Sequence, residues 1–271
     1  MTSRVSTPPG RSGLLHGRGL LSLLLLAALG WSMWEVDWTG SVVHTGGAAA
    51  AGDFFGALFS LDLSASFLKI VLEATWYTVA YAVAGITLAV GLGLALGVAA
   101  SGVLARSRTV RWPLVAGTRG LLAVQRSIHE LVWAWLFVVA VGLSPMAAIL
   151  ALAIPYGGIL GRIYSDILND VPQEPLQALR ASGAGEWKVL LYGRLPMALP
   201  DMLSYTFYRF ECAIRAAAVM SFVGIAGLGY QIQLSLDDLL FGQVWTLLLF
   251  LTGLVLLVDL WSSMVRRRLV S

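Results

Sequence analysis

The chain has 271 residues, of which 58% are hydrophobic and 12% are charged, and its mean hydropathy is +0.80. About a quarter of the residues of a typical soluble domain are charged, so this composition excludes an ordinary water-soluble domain and predicts a membrane protein. The net charge of +3 does not indicate a nucleic-acid partner, because basic residues of membrane proteins collect in cytoplasmic loops and no basic run with interleaved aromatic residues is present.

Six stretches are apolar and long enough to cross a bilayer, which takes about 20 residues. The first, 15–34, has three arginines before or near its start (Arg4, Arg11 and Arg18) and resembles a signal peptide, but we interpret it as a retained anchor because more spans follow. The other predicted spans are approximately 76–103, 129–143, 146–167, 202–223 and 239–264.

These spans divide the chain into five parts, and the predicted fold is all-α and membrane-embedded. In chain order we expect a cytoplasmic N-terminal tail (1–14), the anchor (15–34), a weakly hydrophobic extracytoplasmic segment (35–65), a core of five spans (66–264) with a polar loop at about 168–197, and a cytoplasmic C-terminal tail (265–271).

Lys and Arg are distributed unequally between the two sets of connections. One set holds basic clusters at 4–18, 106–126, 162–194 and 266–268, whereas the other set holds only Lys69. Because cytoplasmic loops are enriched in Lys and Arg, both termini are predicted to be cytoplasmic.

Motifs of a self-contained enzyme are missing from the sequence. The stretch from Gly183 to Lys188 has glycines and a lysine, but not the G-x-x-x-x-G-K-[ST] spacing of a phosphate-binding loop. There is no paired-histidine, paired-cysteine or G-x-S-x-G motif, and Cys212 is interpreted as a small buried hydrophobic residue. Any driving energy is therefore expected to come from a partner or an ion gradient.

Three glycines of the second span, Gly91, Gly93 and Gly97, have the spacing of small residues that let helices approach closely in lipid. A dinucleotide-binding fingerprint is the alternative, but the spacing differs from it and no strand precedes the glycines. We therefore predict a packing role.

The loop between the fourth and fifth spans has the pattern of two short helices. Pro175 suits a first helical turn, where Glu174 complements the helix dipole. Gly183 is a natural helix stop, and a second helix over about 186–192 is predicted to end before Pro196.

This loop resembles the signature loop of bacterial ABC-importer permeases, E-A-A-x-x-x-G followed by I-x-L-P. The matching positions are Gln177, Ala178, Leu179, Gly183, Gly193, Leu195 and Pro196. The spacing from Gly183 to Pro196 is the same as in the signature. Three residues differ: Gln177 replaces the acidic residue, Leu179 replaces the second alanine and Gly193 replaces the isoleucine. The resemblance implies a coupling helix that docks in a groove of the ATPase subunit.

The fifth span resembles phosphonate-type ABC permeases, in which Y-R-x-E-x-x-x-R-A-A leads into V-G-x-x-G-x-G. The matching residues are Tyr208, Arg209, Glu211, Arg215, Ala216, Ala217, Val223, Gly224, Gly227 and Gly229. Upstream, RSIHELVW is similar to the R-x-I-P-E-L-V-W stretch of that family, with His129 where proline is usual. The resemblance covers about 66–264.

The resemblance implies a type I ABC importer permease (MetI-like) architecture with about six spans, and a pathway for phosphonate or a related oxyanion such as phosphate or phosphite. It implies a cytoplasmic ATP-binding subunit, in two copies, that holds ATP and Mg²⁺, a second permease copy or paralogue, and an extracytoplasmic substrate-binding protein. The chain itself is expected to hold no cofactor or metal and to lie among the lipids of a bacterial inner membrane.

Three charged residues of the fifth span point to a substrate pathway. Glu211 and Arg215 are four residues apart and can form an ion pair on one helix face, while Arg209 projects about 120° away from Arg215. One cation is therefore left over, and a guanidinium matches the oxygens of a phosphonate or phosphate. The alternative is that all three charges join spans or subunits. The predicted pathway also includes Tyr208, Gly224, Gly227 and Gly229.

Other classes of function stay open at this point. A permease for methionine or another amino acid shares the coupling loop, so it is the nearest alternative. An ion-coupled secondary transporter often has internal repeats with broken helices, and no convincing repeat is present. A membrane-embedded enzyme has no supporting constellation of residues.

The first prediction is the topology of six spans with both ends inside the cell. Cysteines placed near Asp53 and Asp237 should react with an impermeant thiol reagent added outside sealed cells, whereas cysteines near Arg180 and Arg267 should not. Labelling near Arg180 in sealed cells would contradict the orientation.

Overall fold

The computed structural model describes residues 17–36, 46–105 and 107–270, and every regular element within these residues is helical. The chain divides into two compact units, Met1–Phe55 and Gly56–Ser271. In chain order the helices are α1 (Gly17–Glu35), α2 (Gly47–Gly56), α3 (Ala65–Ser101), α4 (Arg108–Ser127), α5 (Glu130–Val141), α6 (Pro145–Asp170), α7 (Gln173–Ala181), α8 (Glu186–Val189), α9 (Leu195–Met220), α10 (Leu228–Asp237) and α11 (Phe241–Val270). The predicted N-terminal tail, 1–14, lies outside the described residues.

Within the described residues, three helices are long and apolar enough to cross a membrane by themselves, namely α3, α6 and α11. There are up to five spans if each of two bent helix pairs counts as one: α4 with α5, bent by 90°, and Glu186–Val223 with α10, bent by 44°. The apolar part of α1, Gly19–Glu35, is shorter. The all-helical, multi-pass fold is confirmed, while the sixth span and the orientation stay predictions.

The second span starts earlier than its predicted boundary near Trp76. α3 begins at Ala65 and has 37 residues, which corresponds to about 55 Å of helix and exceeds the roughly 30 Å hydrocarbon core. Its first turns carry the exposed side chains of Lys69 and Glu73. Hydropathy marks only the part of a helix that lies in lipid, so the sequence pattern missed this polar extension.

The predicted helix end before Pro196 is wrong. α8 continues through a π-helical turn, Leu190–Arg194, directly into α9, and the Leu195 amide donates to the Leu190 carbonyl. A π turn shifts the hydrogen-bond register by one residue. Pro196 has no N–H to donate, and it follows this turn as one of the first residues of α9, where a missing donor is tolerated.

α3 and α6 are in close contact through glycines. A Cβ atom added to Gly93 would lie 2.8 Å from the Leu160 Cβ, and one added to Gly97 would lie 3.0 Å from the Gly161 carbonyl oxygen. A Cβ added to Gly91 would meet nothing within 4 Å. The predicted packing role is therefore confirmed for Gly93 and Gly97, whereas Gly91 packs against none of the described residues and its role stays a prediction.

The predicted third span corresponds to α5, and the apolar stretch before it belongs to α4. The His129 ring caps α5, because its Nδ1 accepts a hydrogen bond of 3.2 Å from the Leu131 amide. α5 has 12 residues and is about 18 Å long, too short to cross the core by itself. α4 is amphipathic, with Leu122 as its one fully buried residue, and this pattern is typical of a helix at a membrane interface.

The glycine contact between α3 and α6 can be tested with two alanine substitutions. We expect Gly93→Ala to destabilise the subunit by about 1–3 kcal/mol, because the new methyl group overpacks the contact with Leu160. Gly91→Ala is the matched control and should leave stability unchanged. Thermal unfolding of the two purified variants measures the difference, and equal midpoints would contradict the packing role.

Candidate coupling loop and substrate pathway

The turn between α7 and α8 is closed by a glycine-dependent motif. Gly183 has φ +85°, a conformation that side chains with a Cβ disfavour. Its amide donates to the Arg180 carbonyl (2.9 Å), and the Ala184 amide donates to the Leu179 carbonyl (3.1 Å). These two bonds are those of a Schellman motif, which satisfies the last carbonyls of a helix. The predicted helix stop at Gly183 is therefore confirmed.

An ion pair joins α7 to α8 across this turn. Arg180 Nε donates to Glu186 Oε1 (3.2 Å), and Arg180 Nη2 donates to Glu186 Oε2 (3.1 Å). The hydrogen bond with Glu186 raises the pKa of Arg180 above its usual value. Because both side chains are partly exposed, the pair adds little to stability, but its bidentate geometry fixes the angle between the two short helices.

The inner side of the loop packs closely on the π turn. Leu176 is fully buried, and Leu179 is partly buried. A Cβ atom added to Gly193 would lie 2.8 Å from a methyl carbon of each of these leucines. The two leucines occupy the space that a side chain at position 193 would need. This explains why glycine is present where the related signature has isoleucine.

The outer side of the loop is an exposed surface that a partner can contact. Gln177, Ala178 and Gly183 are exposed, and so are Trp187 (64%) and Tyr192 (76%). The sequence analysis missed these two aromatic residues, although aromatic residues in a polar loop are typical of protein interfaces. Of the remaining predicted coupling residues, Leu195 is partly buried and Pro196 is exposed, and both lie in the first turn of α9.

The charged residues of α9 are held in two different ways. Arg215 Nη2 lies 3.3 Å from Glu211 Oε1, so the predicted pair is present, with 53% of the arginine side chain and 12% of the glutamate side chain exposed. Arg209 instead donates to the Tyr205 hydroxyl through Nε (3.0 Å) and Nη2 (2.7 Å). Its guanidinium also lies over the rings of Tyr205 and Tyr208, 5.2 and 5.5 Å from their centroids. No carboxylate of the described residues pairs with Arg209.

Two further residues belong to this charged group, and the sequence analysis did not place them there. Tyr156, a buried residue of α6, lies within electrostatic range of Glu130 at the start of α5 and of both arginines of α9. These residues come from three helices that are far apart in the sequence, so periodicity within one helix does not reveal their proximity.

The three glycines after α9 form a turn that packs back on the bundle. Gly224 has φ +99°, and a Cβ added to Gly229 would collide with the Ala218 carbonyl oxygen. The Leu228 amide donates to the Thr78 hydroxyl of α3 (3.0 Å). Gly227 lies beside the same hydroxyl, so the turn is held against α3 and not free in the pathway.

The coupling loop and the charged residues are separated along α9. Pro196 and Arg209 are 13 positions apart in α9, which corresponds to about 20 Å along the axis. The structure therefore separates a loop-side group from a charged group within the span, and α9 connects them.

These features are typical of a membrane transport subunit: apolar helices, charged residues within a span and an ordered polar loop at one end. The family model of the binding-protein-dependent transport system inner membrane component matches residues 93–271. The chain belongs to this family. It is thus a multi-pass inner-membrane permease subunit of an ABC importer, a class that works with an ATPase and a substrate-binding protein.

Two relatives have names that describe the transport systems to which they belong. The phosphite transport system permease protein PtxC of Stutzerimonas stutzeri is 34% identical over 191 residues, which cover 70% of this chain and 68% of that protein. The phosphate-import permease protein PhnE of Mycolicibacterium smegmatis is 30% identical over 193 residues, 71% of this chain but only 36% of that protein.

A solved structure shows the same fold. The structure titled "Inward facing conformations of the MetNI methionine ABC transporter" matches 76% of this chain and 99% of its own chain, with a TM-score of 0.67 and 22% identity. At this identity the likeness applies to the fold alone. The type I importer architecture implied by the sequence is confirmed.

The coupling role of the loop can be tested at Gly183. We expect Gly183→Val to leave the permease inserted in the membrane but to lower the amount of ATPase that co-purifies with it, because valine disfavours φ +85° and the turn must reorganise. Gly185→Val is the control, since Gly185 has φ −71°, which valine adopts readily. Normal co-purification and transport in Gly183→Val would contradict the coupling role.

Proposed function

We propose that this chain forms part of the inner-membrane pathway for a phosphonate, phosphite or phosphate-type oxyanion. Support comes from relatives that are named as phosphite and phosphate permeases. The single structural observation that carries the proposal is Arg209, a partly buried cation in the middle of α9 for which the described residues provide no carboxylate.

The environment of Arg209 suits a passing anion. A buried cation without a counter-ion is costly in a membrane, so such residues normally line a pathway or a wet cavity. The Tyr205 hydroxyl occupies Nε and Nη2, and the guanidinium has five N–H groups, so donors remain for oxyanion oxygens. The two tyrosine rings hold the guanidinium in place by cation–π contacts without neutralising its charge.

The site is expected to bind its cargo weakly. Arg215 is already paired with Glu211. The cations without a carboxylate partner at this level are Arg209 and, among the described residues of α11, Arg266, whose guanidinium lies 5.9 Å from the Tyr208 ring centroid. A pathway must release what it binds, and two guanidinium groups beside one tyrosine ring meet this requirement better than a closed cluster of cations. Tyr208 and the turn at Gly224, Gly227 and Gly229 then serve to shape the pathway.

The proposed assembly has two permease subunits, identical or paralogous, and two ATPase subunits. A single bundle of about six spans needs a partner to enclose a pathway. In this assembly the loop surface of Gln177, Ala178, Gly183, Trp187 and Tyr192 contacts the ATPase, which holds ATP and Mg²⁺, and both termini of the permease are cytoplasmic. The sequence has no phosphate-binding loop, which agrees with ATP hydrolysis in the partner. An extracytoplasmic binding protein delivers the cargo.

The likeness to the methionine transporter does not favour a methionine cargo, because it applies to the fold alone. Membership of the binding-protein-dependent family also leaves no support for a secondary transporter. The oxyanion is thus the one cargo class that both the relatives and the unpaired arginine support.

The proposal can be tested by replacing Arg209 with methionine, which keeps an apolar stem but removes the fork and the charge. We expect the Arg209→Met permease to assemble with its ATPase and the complex to hydrolyse ATP. Uptake of labelled phosphonate, phosphite or phosphate into proteoliposomes should fall about tenfold or more, the loss expected when one charge-assisted contact is removed.

Arg162→Met is the matched control, because Arg162 lies on the neighbouring α6 and its charge is already balanced by Asp166 at 3.1 Å. Arg215→Met is a poorer test, since it leaves the nearly buried Glu211 carboxylate without its partner and is expected to impair folding. Full-rate oxyanion uptake by Arg209→Met would contradict the role of the charge.

A further inference from the structure

A basic cleft lies beside the coupling loop, outside the predicted pathway. Its part next to the loop has a volume of about 490 Å³, and its part along α4 has a volume of about 760 Å³. Arg111 and Asn169 line both parts, so we treat them as one cleft. The other polar lining residues are Ser101, Arg108, Arg119, Arg180, Glu186 and Arg194.

Cations clearly outnumber anions in this lining. The five arginines face one carboxylate, Glu186, which is bound to Arg180. Among the described residues, no carboxylate forms a salt bridge with the other four arginines. Like charges gathered around one concave surface attract and concentrate anions.

Arg194 gives the cleft a buried cationic floor. Only 7% of the residue is exposed, and its Nη1 donates to the Leu168 carbonyl at 2.6 Å. Its Nε has no hydrogen-bond partner among the described residues. Arg180 and Arg111 line the same part of the cleft as Arg194, so like charges lie close to this buried guanidinium.

A purely structural role explains only part of this arrangement. Arg194 and Arg119 bond to carbonyls at the carboxyl-terminal ends of α6 and α3, where cations are favourable. Each bond uses one of the five N–H groups of its guanidinium. Arg111 makes no such bond with the part of the chain that the structure describes. It packs over the turn at Gly102, where its Nε would lie 3.0 Å from an added Cβ.

The chemistry of the lining selects a phosphate-type group. Guanidinium forks match the oxygens of phosphate, and the Asn169 amide offers a further polar contact. α4 is amphipathic and has an exposed Trp112 in the cleft, a combination typical of a helix at the level of lipid headgroups. The same group is also present in a free oxyanion.

We propose that this cleft binds a phosphate-type anion, held between Arg111 of α4 and Arg194 of the π turn, and supplied by an anionic phospholipid headgroup or by a free oxyanion. The anion would offset the repulsion among the arginines and join α4 to the coupling loop. This site is separate from the Arg209 pathway, and its test requires no transport.

The test is binding to the intact permease–ATPase complex in a neutral detergent. Native mass spectrometry measures retention of phosphatidylglycerol against phosphatidylcholine, and calorimetric titration measures binding of inorganic phosphate. We expect at least one of the two anions to bind saturably. Arg111→Gln should weaken this binding about tenfold, the loss expected when one charge-assisted contact is removed. Arg111 is exposed, so this variant should fold, as its elution on size exclusion and its thermal midpoint will show.

Arg267→Gln is the control for general attraction, because Arg267 is an exposed arginine outside the cleft. Binding of phosphatidylglycerol but not inorganic phosphate assigns the site to a lipid headgroup, whereas saturable binding of inorganic phosphate assigns it to a free anion. The proposal is overturned if neither anion binds saturably, if Arg111→Gln binds like the unmodified complex, or if Arg267→Gln weakens binding equally.

Discussion

The close backbone contact between α3 and α6 positions most of the groups described above. Lipid tails are as apolar as leucine, so helices in a membrane associate through tight packing, and glycines at 93, 97 and 161 permit it. α6 then places Tyr156, near its middle, within electrostatic range of the arginines of α9 and, near its carboxyl-terminal end, presents the Leu168 carbonyl that holds Arg194. A bulkier contact would move both groups relative to α3.

α9 is the second element on which the arrangement depends, because it connects the loop to the charged residues. It follows the π turn without a break in the helix. A displacement of the exposed loop surface can therefore reach Arg209 through one continuous helix. The π turn and Pro200 inside α9 are the two places on this route where a helix bends most readily.

Arginine is used differently at the two ends of this route. In the span, Arg215 has a carboxylate and Arg209 has a hydroxyl and two rings, so both guanidinium groups are held while the charge of Arg209 is not neutralised. Beside the loop, several arginines share a cleft with a single carboxylate. Removing an ion from water is costly, so unpaired cations in lipid must be few, whereas the wet interface tolerates a surplus.

The sequence by itself determined the helical membrane class, the stop at Gly183 and the Glu211–Arg215 pair, because hydropathy, a left-handed turn and four-residue spacing are local properties. It also contained the motifs of the importer family. Only the tertiary structure decided that Gly93 but not Gly91 contacts α6. It also decided that α8 runs through the π turn into α9, past Pro196, and that Tyr156 lies near the arginines of α9. The same holds for the gathering of Arg111 and Arg194 in one cleft. These features depend on contacts between segments that are distant in the sequence, and no local pattern encodes such contacts.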